Sequence, residues 1–427
     1  MSHRSARGTV RALFWIAFFA GLYLPAKAEE TATEQRSSQT TAQPQPPVKE
    51  EEDPFAGVTA QPKPEEKPKE PGRSWRESFF KDNFGFRKEI MSQFTSNQDG
   101  GLASRQSLGF EVLKKFSTAT ETVVSFNMQG RLVRRDGFNP VLNDMEGENR
   151  KGWAFEYHNL YLDFYNVLNP LLNDEQKGKS VGRFNVRAGR FYVPFGLNLQ
   201  TDTHGTVLQL SNDRSFGFER DWYTGFWGAL NKHLNYDVYY LAGSGYDLKY
   251  KGQSGLGAVR LSLGNRYSSE HGLEGGFSAL GGQRLSNMAS GGTTNATTMD
   301  SDSAPRVVQT ERAGLDGRYR RAVPTGLLTL TSEVSGGWDS RDPVFSQLHQ
   351  GEYIHASRKW GVATQYRRFS QDGRGADSSI IGEFSWYFKN DIGNSSLHWI
   401  KLNVERQLER MEGPPSTVIT LQYYFYR

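Results

Sequence analysis

An alternation of apolar and polar residues with a period of two recurs from residue 74 to the end of this 427-residue chain. In the clearest stretch, 182–196, Phe184, Val186 and Ala188 share one phase and polar residues lie between them, as a strand with two unlike faces requires. No segment after the N-terminus approaches the roughly eighteen uninterrupted apolar residues of a membrane helix. The chain is therefore expected to be all-β.

The alternating segments are about ten residues long, which is the length that a tilted strand needs to cross a bilayer. In a water-soluble sandwich the apolar face would be core, whereas in a membrane barrel it meets lipid and the polar face lines a lumen. Roughly 340 residues, at about 21 per strand and connection, predict a transmembrane antiparallel β-barrel of about sixteen strands. The predicted strands are 86–94, 108–116, 124–131, 159–165, 183–189, 223–230, 236–242, 259–263, 273–280, 313–321, 328–338, 353–358, 360–369, 380–388, 400–405 and 419–426, and the predicted long loops are 136–152, 197–221 and 281–310.

The first 73 residues are predicted to lie outside the barrel, which spans 74–427. Residues 1–28 have the features of a secretory signal peptide: a basic start, an apolar run of about thirteen residues and a small-x-small cleavage site. Residues 29–73 are rich in Pro, Glu and Lys and almost free of large apolar side chains, so they cannot bury a core. We expect a disordered, Pro-rich periplasmic linker, with a tether to a periplasmic partner as the alternative.

The composition and motifs exclude several kinds of chemistry. The chain has no cysteine, which excludes disulfides, thiol catalysis, iron–sulfur clusters and covalent haem. Its eight histidines show no spacing typical of a metal site. The sequence also has no Gly-x-Ser-x-Gly elbow, no complete Gly-x-Gly-x-x-Gly fingerprint and no phosphate-cradling loop. We therefore predict neither an enzyme nor a bound metal or cofactor.

Basic residues in the polar phase are the candidate functional residues. Residues 74–427 carry 41 basic and 37 acidic residues, and 28 of the basic ones are arginine. A ladder of cations in a lumen lowers the barrier to anion entry. The alternative is that opposite charges pair and brace the wall with little selectivity, because Asp163, Glu383 and Glu405 share the same phase. The candidates are Arg131, Arg183, Arg187, Arg260, Arg318, Arg320, Arg367 and Lys401.

A longer motif begins within the strand predicted at 183–189. Its elements are Arg187, Gly189, Phe191, Pro194, Phe195, Gly196 and Leu197, followed by Phe218, Glu219 and Arg220. They resemble the phosphate-selective porin O and P family, and the broader likeness covers about 84–427. The resemblance implies a sixteen-stranded outer-membrane porin, usually trimeric, that passes small anions through a basic constriction made partly by an infolded loop. It places 197–221 near that constriction and so adds Arg214 and Arg220 to the candidates.

These features predict a porin in the outer membrane of a Gram-negative bacterium, with its N-terminal segment in the periplasm. It would let small polar solutes diffuse passively and favour phosphate-like or other small anions, and no nucleic-acid partner is expected. One alternative is a structural barrel that docks or sheathes a periplasmic partner, such as an electron-carrier protein, through 29–73. Another is a barrel enzyme such as a lipase or protease, which would need a nucleophile and a base at the rim, and no motif supports it.

Overall fold

The computed structural model is a closed barrel of sixteen antiparallel strands, in which consecutive strands pair and β16 closes on β1. It describes residues 83–98, 101–118, 121–137, 153–197, 208, 220–244, 253–264, 272–285, 307–373, 375–391, 396–411 and 413–427. The predicted signal peptide, the predicted linker and residues 74–82 lie outside these ranges. Among the described helices, none is long and apolar enough to cross a membrane.

The strands are β1 (Phe84–Asn97), β2 (Leu102–Ser117), β3 (Thr122–Gly137), β4 (Trp153–Phe164), β5 (Asn185–Tyr192), β6 (Arg220–Ala229), β7 (Leu234–Leu241), β8 (Gly255–Leu263), β9 (Gly272–Leu285), β10 (Val307–Val323), β11 (Gly326–Asp339), β12 (Asp342–His355), β13 (Trp360–Gln371), β14 (Gly375–Asp391), β15 (Ser396–Glu409) and β16 (Thr417–Tyr426). A 3-10 turn (Asn169–Leu171) and a short helix, α1 (Asp174–Ser180), connect β4 to β5. The Asn173 side chain caps α1 by accepting a hydrogen bond from the Gln176 amide.

The predicted sixteen-strand barrel is confirmed, and each predicted segment overlaps a different strand. The segment predicted at 353–358 was wrong in position, because β12 runs from Asp342 to His355. On β12 the apolar Val344 and Leu348 are buried and the polar His349 is exposed, which is the reverse of the expected apolar outer face and polar inner face. The sequence pattern therefore did not identify most of this strand. The loop predicted at 281–310 was too long at both ends, because β9 continues to Leu285 and β10 begins at Val307.

The outer wall is apolar and the inner wall is polar. On β16, Ile419 and Leu421 are 48% and 46% exposed, whereas the alternating Thr420 and Gln422 are 0% and 1% exposed. The same phase recurs on β14 and β15, where large apolar side chains are exposed and Glu383, Lys401 and Glu405 are buried. This alternation is typical of barrels whose outer face meets lipid.

The two ends of the barrel differ in their connections. At the end that holds the start of β1 and the last residue, called here the terminal end, most connections are short, such as 230–233 and 324–325, and 165–184 is the long one. At the opposite end the long connections 138–152, 193–219, 242–254 and 286–306 join β3 to β10. The remaining hairpins at that end are short, so the expected division into short turns and long loops holds for about half of the barrel.

Candidate pore and its charged wall

Arg187 lies on the inner face of β5 and is locked in place by its neighbours. Its Nε and Nη2 atoms donate to the two carboxylate oxygens of Asp163 at 2.7 and 2.8 Å. The guanidinium carbon lies 4.5 Å from the ring centroid of Tyr161 and 4.4 Å from that of Phe191. Both charged side chains are almost fully buried. In a bidentate, stacked pair of this kind the carboxylate balances the charge of the guanidinium, and the fixed geometry makes the wall rigid.

Arg131 forms an ion pair that spans two strands. Its Nη2 atom on β3 donates to Glu89 Oε2 on β1 at 2.6 Å, although β2 lies between these strands. The residue of β2 in the same row is Gly109, which pairs with both partners. A Cβ atom on Gly109 would lie 3.0 Å from Arg131 Cγ and 3.2 Å from Glu89 Cβ. The glycine therefore leaves the space through which the arginine reaches its carboxylate.

Arg260 repeats this arrangement on the other side of the barrel. Its guanidinium on β8 forms a bidentate pair with Asp316 on β10, with Nη2 2.8 Å from Oδ1, and also donates to Ser278 Oγ at 3.0 Å. It passes over Gly276 on β9, where a Cβ atom would lie 2.8 Å from the arginine Cζ. The second instance shows that arginine, glycine and carboxylate on three successive strands form a repeated unit of this wall.

Two further candidate cations are paired on β13 to β15. Arg367 Nε donates to Ser379 Oγ at 2.7 Å, and its Nη2 atom reaches Glu405 Oε1 at 2.6 Å across β14. Lys401 Nζ donates to Glu383 Oε1 at 3.0 Å. All of these charged side chains are buried.

Arg318 and Arg320 lie two residues apart on β10 and share one carboxylate. Glu274 on β9 lies 3.9 Å from Arg318 Nη1 and 3.5 Å from Arg320 Nη1. Glu352 on β12 acts electrostatically on both arginines and on Lys401. The inner face near the terminal end thus carries charges of both signs from β9 to β15.

Arg220 begins β6 and contacts two neutral side chains among the described residues. It donates to Asn159 Oδ1 at 3.2 Å and to the Tyr192 hydroxyl at 2.6 Å. Its guanidinium carbon also lies 4.1 Å from the centroid of the Tyr192 ring. These contacts fix the position of its charge at the end of β6.

The segment Val193 to Leu197, called here the crossing segment, leaves β5 and crosses the lumen to β9, β10 and β11. The Gly196 amide donates to Ser278 Oγ at 3.0 Å, and the Leu197 amide donates to Glu333 Oε1 at 3.1 Å. Phe195, which precedes Gly196, packs against Gly314 on β10, the strand between β9 and β11. Val193, Phe195 and Leu197 are at most 2% exposed. The chain directly after β5 is therefore folded into the barrel, and most of the loop predicted at 197–221 lies outside the described residues.

An apolar cluster fills the space between the crossing segment and the wall. It contains Val193, Phe195, Tyr223, Trp227, Tyr239, Leu241, Leu256, Ala258, Leu280 and Leu285. The last eight come from β6 to β9. This side of the barrel interior is packed like the core of a soluble protein.

The other candidates lie elsewhere. Arg183 is exposed in the turn before β5, because the strand begins at Asn185 rather than at 183. Arg214, Phe218 and Glu219 lie outside the described residues. Of the motif residues, Gly189 has φ +132°, and a Cβ atom there would lie 2.2 Å from the Leu160 carbonyl oxygen. Phe191 stacks on Arg187, and Pro194, Phe195, Gly196 and Leu197 are buried.

Several inner-wall residues were missed by the sequence analysis. Ser278 and Glu333 hold the crossing segment, and Glu352 joins the charged row. Arg284 and Arg312 share Asp339 through contacts of 2.9 Å. Arg284 was assigned to a loop, and Glu352 precedes the predicted segment 353–358, so a corrected extent of β9 and β12 would have identified both as inward-facing.

A closed sixteen-stranded barrel with an apolar outer wall, an ion-paired inner wall and a segment folded into its lumen has the architecture of outer-membrane porins. Solved structures to which the chain is similar include OprB of Pseudomonas putida at high pH, with 9% identity and a TM-score of 0.54 over 82% of this chain and 96% of that one. OmpF of Salmonella typhi in complex with daunomycin has 10% identity and a TM-score of 0.50 over 81% and 97%. At these identities the similarity establishes the fold. No protein-family model and no curated protein matches the chain.

Proposed function

We propose that this protein is a porin through which small polar solutes diffuse passively across the outer membrane of a Gram-negative bacterium. The observation that carries the proposal is the opposite polarity of the two faces of a closed barrel, illustrated by Ile419 at 48% and Thr420 at 0% exposure on one strand. An apolar outer face is stable against lipid, and a polar inner face can exchange contacts with hydrated solutes. Such a channel needs no catalytic group and no cofactor.

The finer part of the proposal is a weak preference for small anions, phosphate-like ions among them. Residues 74–427 carry more basic than acidic residues. Four arginines, Arg105, Arg131, Arg190 and Arg220, act electrostatically on His158, and the single carboxylate of Glu156 lies 3.8 Å from its Nε2 atom. Such a concentration of cations in a low-dielectric wall raises the local concentration of anions. The preference is weak because Arg131, Arg187, Arg260, Arg367 and Lys401 are each within 4.0 Å of a carboxylate.

The resemblance to phosphate-selective porins supports the same proposal. The matching motif contributes two features to the lumen: Arg187 with Phe191 stacked on it, and the crossing segment with Gly196. By the same analogy we propose a homotrimer. Residues 29–73 would lie in the periplasm, where they could contact a periplasmic partner.

The proposal is tested by recording purified mature protein in a planar bilayer under a potassium chloride gradient, with and without added phosphate. Stable current steps with an anion-favouring reversal potential are expected. Arg220→Gln should lower the anion preference because it removes a charge whose position is fixed, whereas Arg183→Gln, in an exposed turn, should not. Silence from protein that circular dichroism shows to be folded would refute the open channel.

A second candidate is a structural barrel that docks a periplasmic partner. It is favoured by the burial of the inner wall, where even the charged Glu405 and Asp163 are 0% and 1% exposed. Co-purification of the full-length mature chain, compared with a variant lacking 29–73, separates the two functions. A partner that is lost with 29–73, together with an absence of conductance, would support the structural role.

A further inference from the structure

One side of the barrel interior, along β7 and β8, is filled by packed side chains. The inner-facing residues of β7 are Asn235, Asp237, Tyr239 and Leu241, and those of β8 are Leu256, Ala258, Arg260 and Ser262. All eight are buried. The crossing segment lies against this side and completes its apolar cluster. Opening this packed region to water or hydrated solutes would expose the apolar cluster, which is energetically unfavourable.

The neighbouring stretch of the wall, from β10 to β12, keeps a partly exposed strip near the terminal end. On the inner faces of β10, β11 and β12, Arg320, Thr331, Gln350 and Glu352 are all partly exposed. Thr331 pairs with Gln350 in the strand register, and Thr329, the next inner residue of β11, pairs with Glu352. The four side chains therefore form one continuous patch rather than scattered openings. The crossing segment touches the wall at Glu333, two residues from Thr331, and so borders the patch.

The patch lies within a row that contains charges of both signs. Glu274 faces Arg318 and Arg320, Glu352 acts on these arginines and on Lys401, and Lys401 is bonded to Glu383. Three cations and three carboxylates thus stand in this row. Within it, Arg320 and Glu352 are the two that are partly exposed, with opposite signs. A solute that passes here meets both charges at short range, where screening by salt is weakest.

Resting on the function proposed above, we propose that the solute path is displaced from the barrel axis toward the inner face of β10 to β12. Arg320 and Glu352 are then the charges that set its ion preference. Arg187 and Arg260, which the sequence also offers as pore-lining cations, belong to the packed side, where their ion pairs stabilise the barrel wall. The near balance of charge in the row makes selectivity weak and adjustable by a single substitution.

The absence of cysteine from the chain allows a direct test, because every introduced thiol is the only one. Thr331→Cys and Gln350→Cys report on the patch, Ala258→Cys and Leu280→Cys on the packed side, and Leu402→Cys on the outer wall. Purified protein in detergent is treated with a charged, water-soluble methanethiosulfonate, and labelling is followed by intact mass. Thiols at Thr331 and Gln350 should be labelled at least about tenfold faster than those at Ala258 and Leu280, since reaction requires access of water and reagent.

The same variants are then recorded in bilayers during reagent addition. Labelling at Thr331→Cys should reduce the conductance, and labelling conditions applied to Leu402→Cys should leave it unchanged. Equal labelling rates at Ala258→Cys and Thr331→Cys, in variants that keep the heat-modifiable gel mobility of folded barrels, would overturn the displaced path. If no variant and no wild-type protein conducts while the labelling contrast holds, the water-filled strip stands and the channel function fails, so the two failures are distinguishable.

Discussion

Gly196 is the residue at which the crossing segment is most sensitive to change. It has φ +58°, and a Cβ atom there would lie 2.3 Å from Glu333 Oε2. In Gly196→Ala the left-handed backbone costs about 1–2 kcal/mol. The flexible end of the Glu333 side chain must also shift, and complete loss of its hydrogen bond from the Leu197 amide would add about 1.5–3 kcal/mol. The anchored state is thus destabilised by about 1–5 kcal/mol, which lowers its population relative to the detached state by roughly one to three powers of ten.

Hydrogen exchange measured by mass spectrometry reports this loss directly, because the amides of Gly196 and Leu197 are donors in the two anchoring bonds. We expect their peptide to exchange faster by roughly one to three powers of ten in Gly196→Ala. Single-channel current should become noisier and larger in the same variant. Gly382→Ala is the matched control, because a Cβ atom there meets nothing within 4 Å. Unchanged exchange in Gly196→Ala, with the barrel folded, would refute the anchoring described here.

Three other outcomes are expected. Arg320→Gln should move the reversal potential toward cations and Glu352→Gln toward anions, each by more than Arg220→Gln does, and shifts of the same sign would contradict the charged row. Asp163→Asn should lower the free energy of unfolding in urea by about 3–5 kcal/mol, because it leaves a buried arginine charge without its carboxylate; a loss below about 1 kcal/mol would show that the pair is not structural. Phe195→Ala should cost about 3–5 kcal/mol of the same quantity by emptying the apolar cluster, and loss of the slow exchange at Gly196 should accompany it.

The barrel itself could be predicted because the alternation is a local signal. Each strand carries its own pattern, such as Ile400, Leu402 and Val404 on one phase, and no knowledge of its neighbours is needed to recognise it. β12 was misplaced for the same reason, since Val344 and Leu348 face inward there and the local pattern reverses. The strand count was correct because it depends on the number of segments and hardly on their exact ends.

Which charged side chains of the inner wall pair with each other could not be predicted. Arg131 and Glu89 are 42 residues apart and meet across a third strand, so their pairing depends on two strand registers. A single-residue error in either register would place one of them on the lipid face. Anion selectivity and mutual bracing are both compatible with the sequence, and the distances in the structure favour bracing for most of the candidates.

The packed side of the lumen was also beyond the sequence analysis. Residues of β6 and β7 are apolar on both faces: Phe226 and Val238 are exposed outward, and Trp227 and Tyr239 are buried inward. In such strands the apolar residues in both phases blur the period of two. Strands covered on both faces give this kind of continuous apolar run. The blurred period was therefore a signal of the inner cluster.

The glycine beneath the Arg131 bridge has a consequence for the register in which β2 pairs with its neighbours. Gly109 is flanked on β2 by Leu108 and Phe110, and the Arg131 side chain crosses the row that it occupies. If β2 were inserted one position out of step, a leucine or phenylalanine would stand in that row and the bridge could not form. Both charges would then be stranded in the wall, at a cost of several kcal/mol. The bridge at Gly109 therefore favours the native register of β2 over one that is shifted by a single residue.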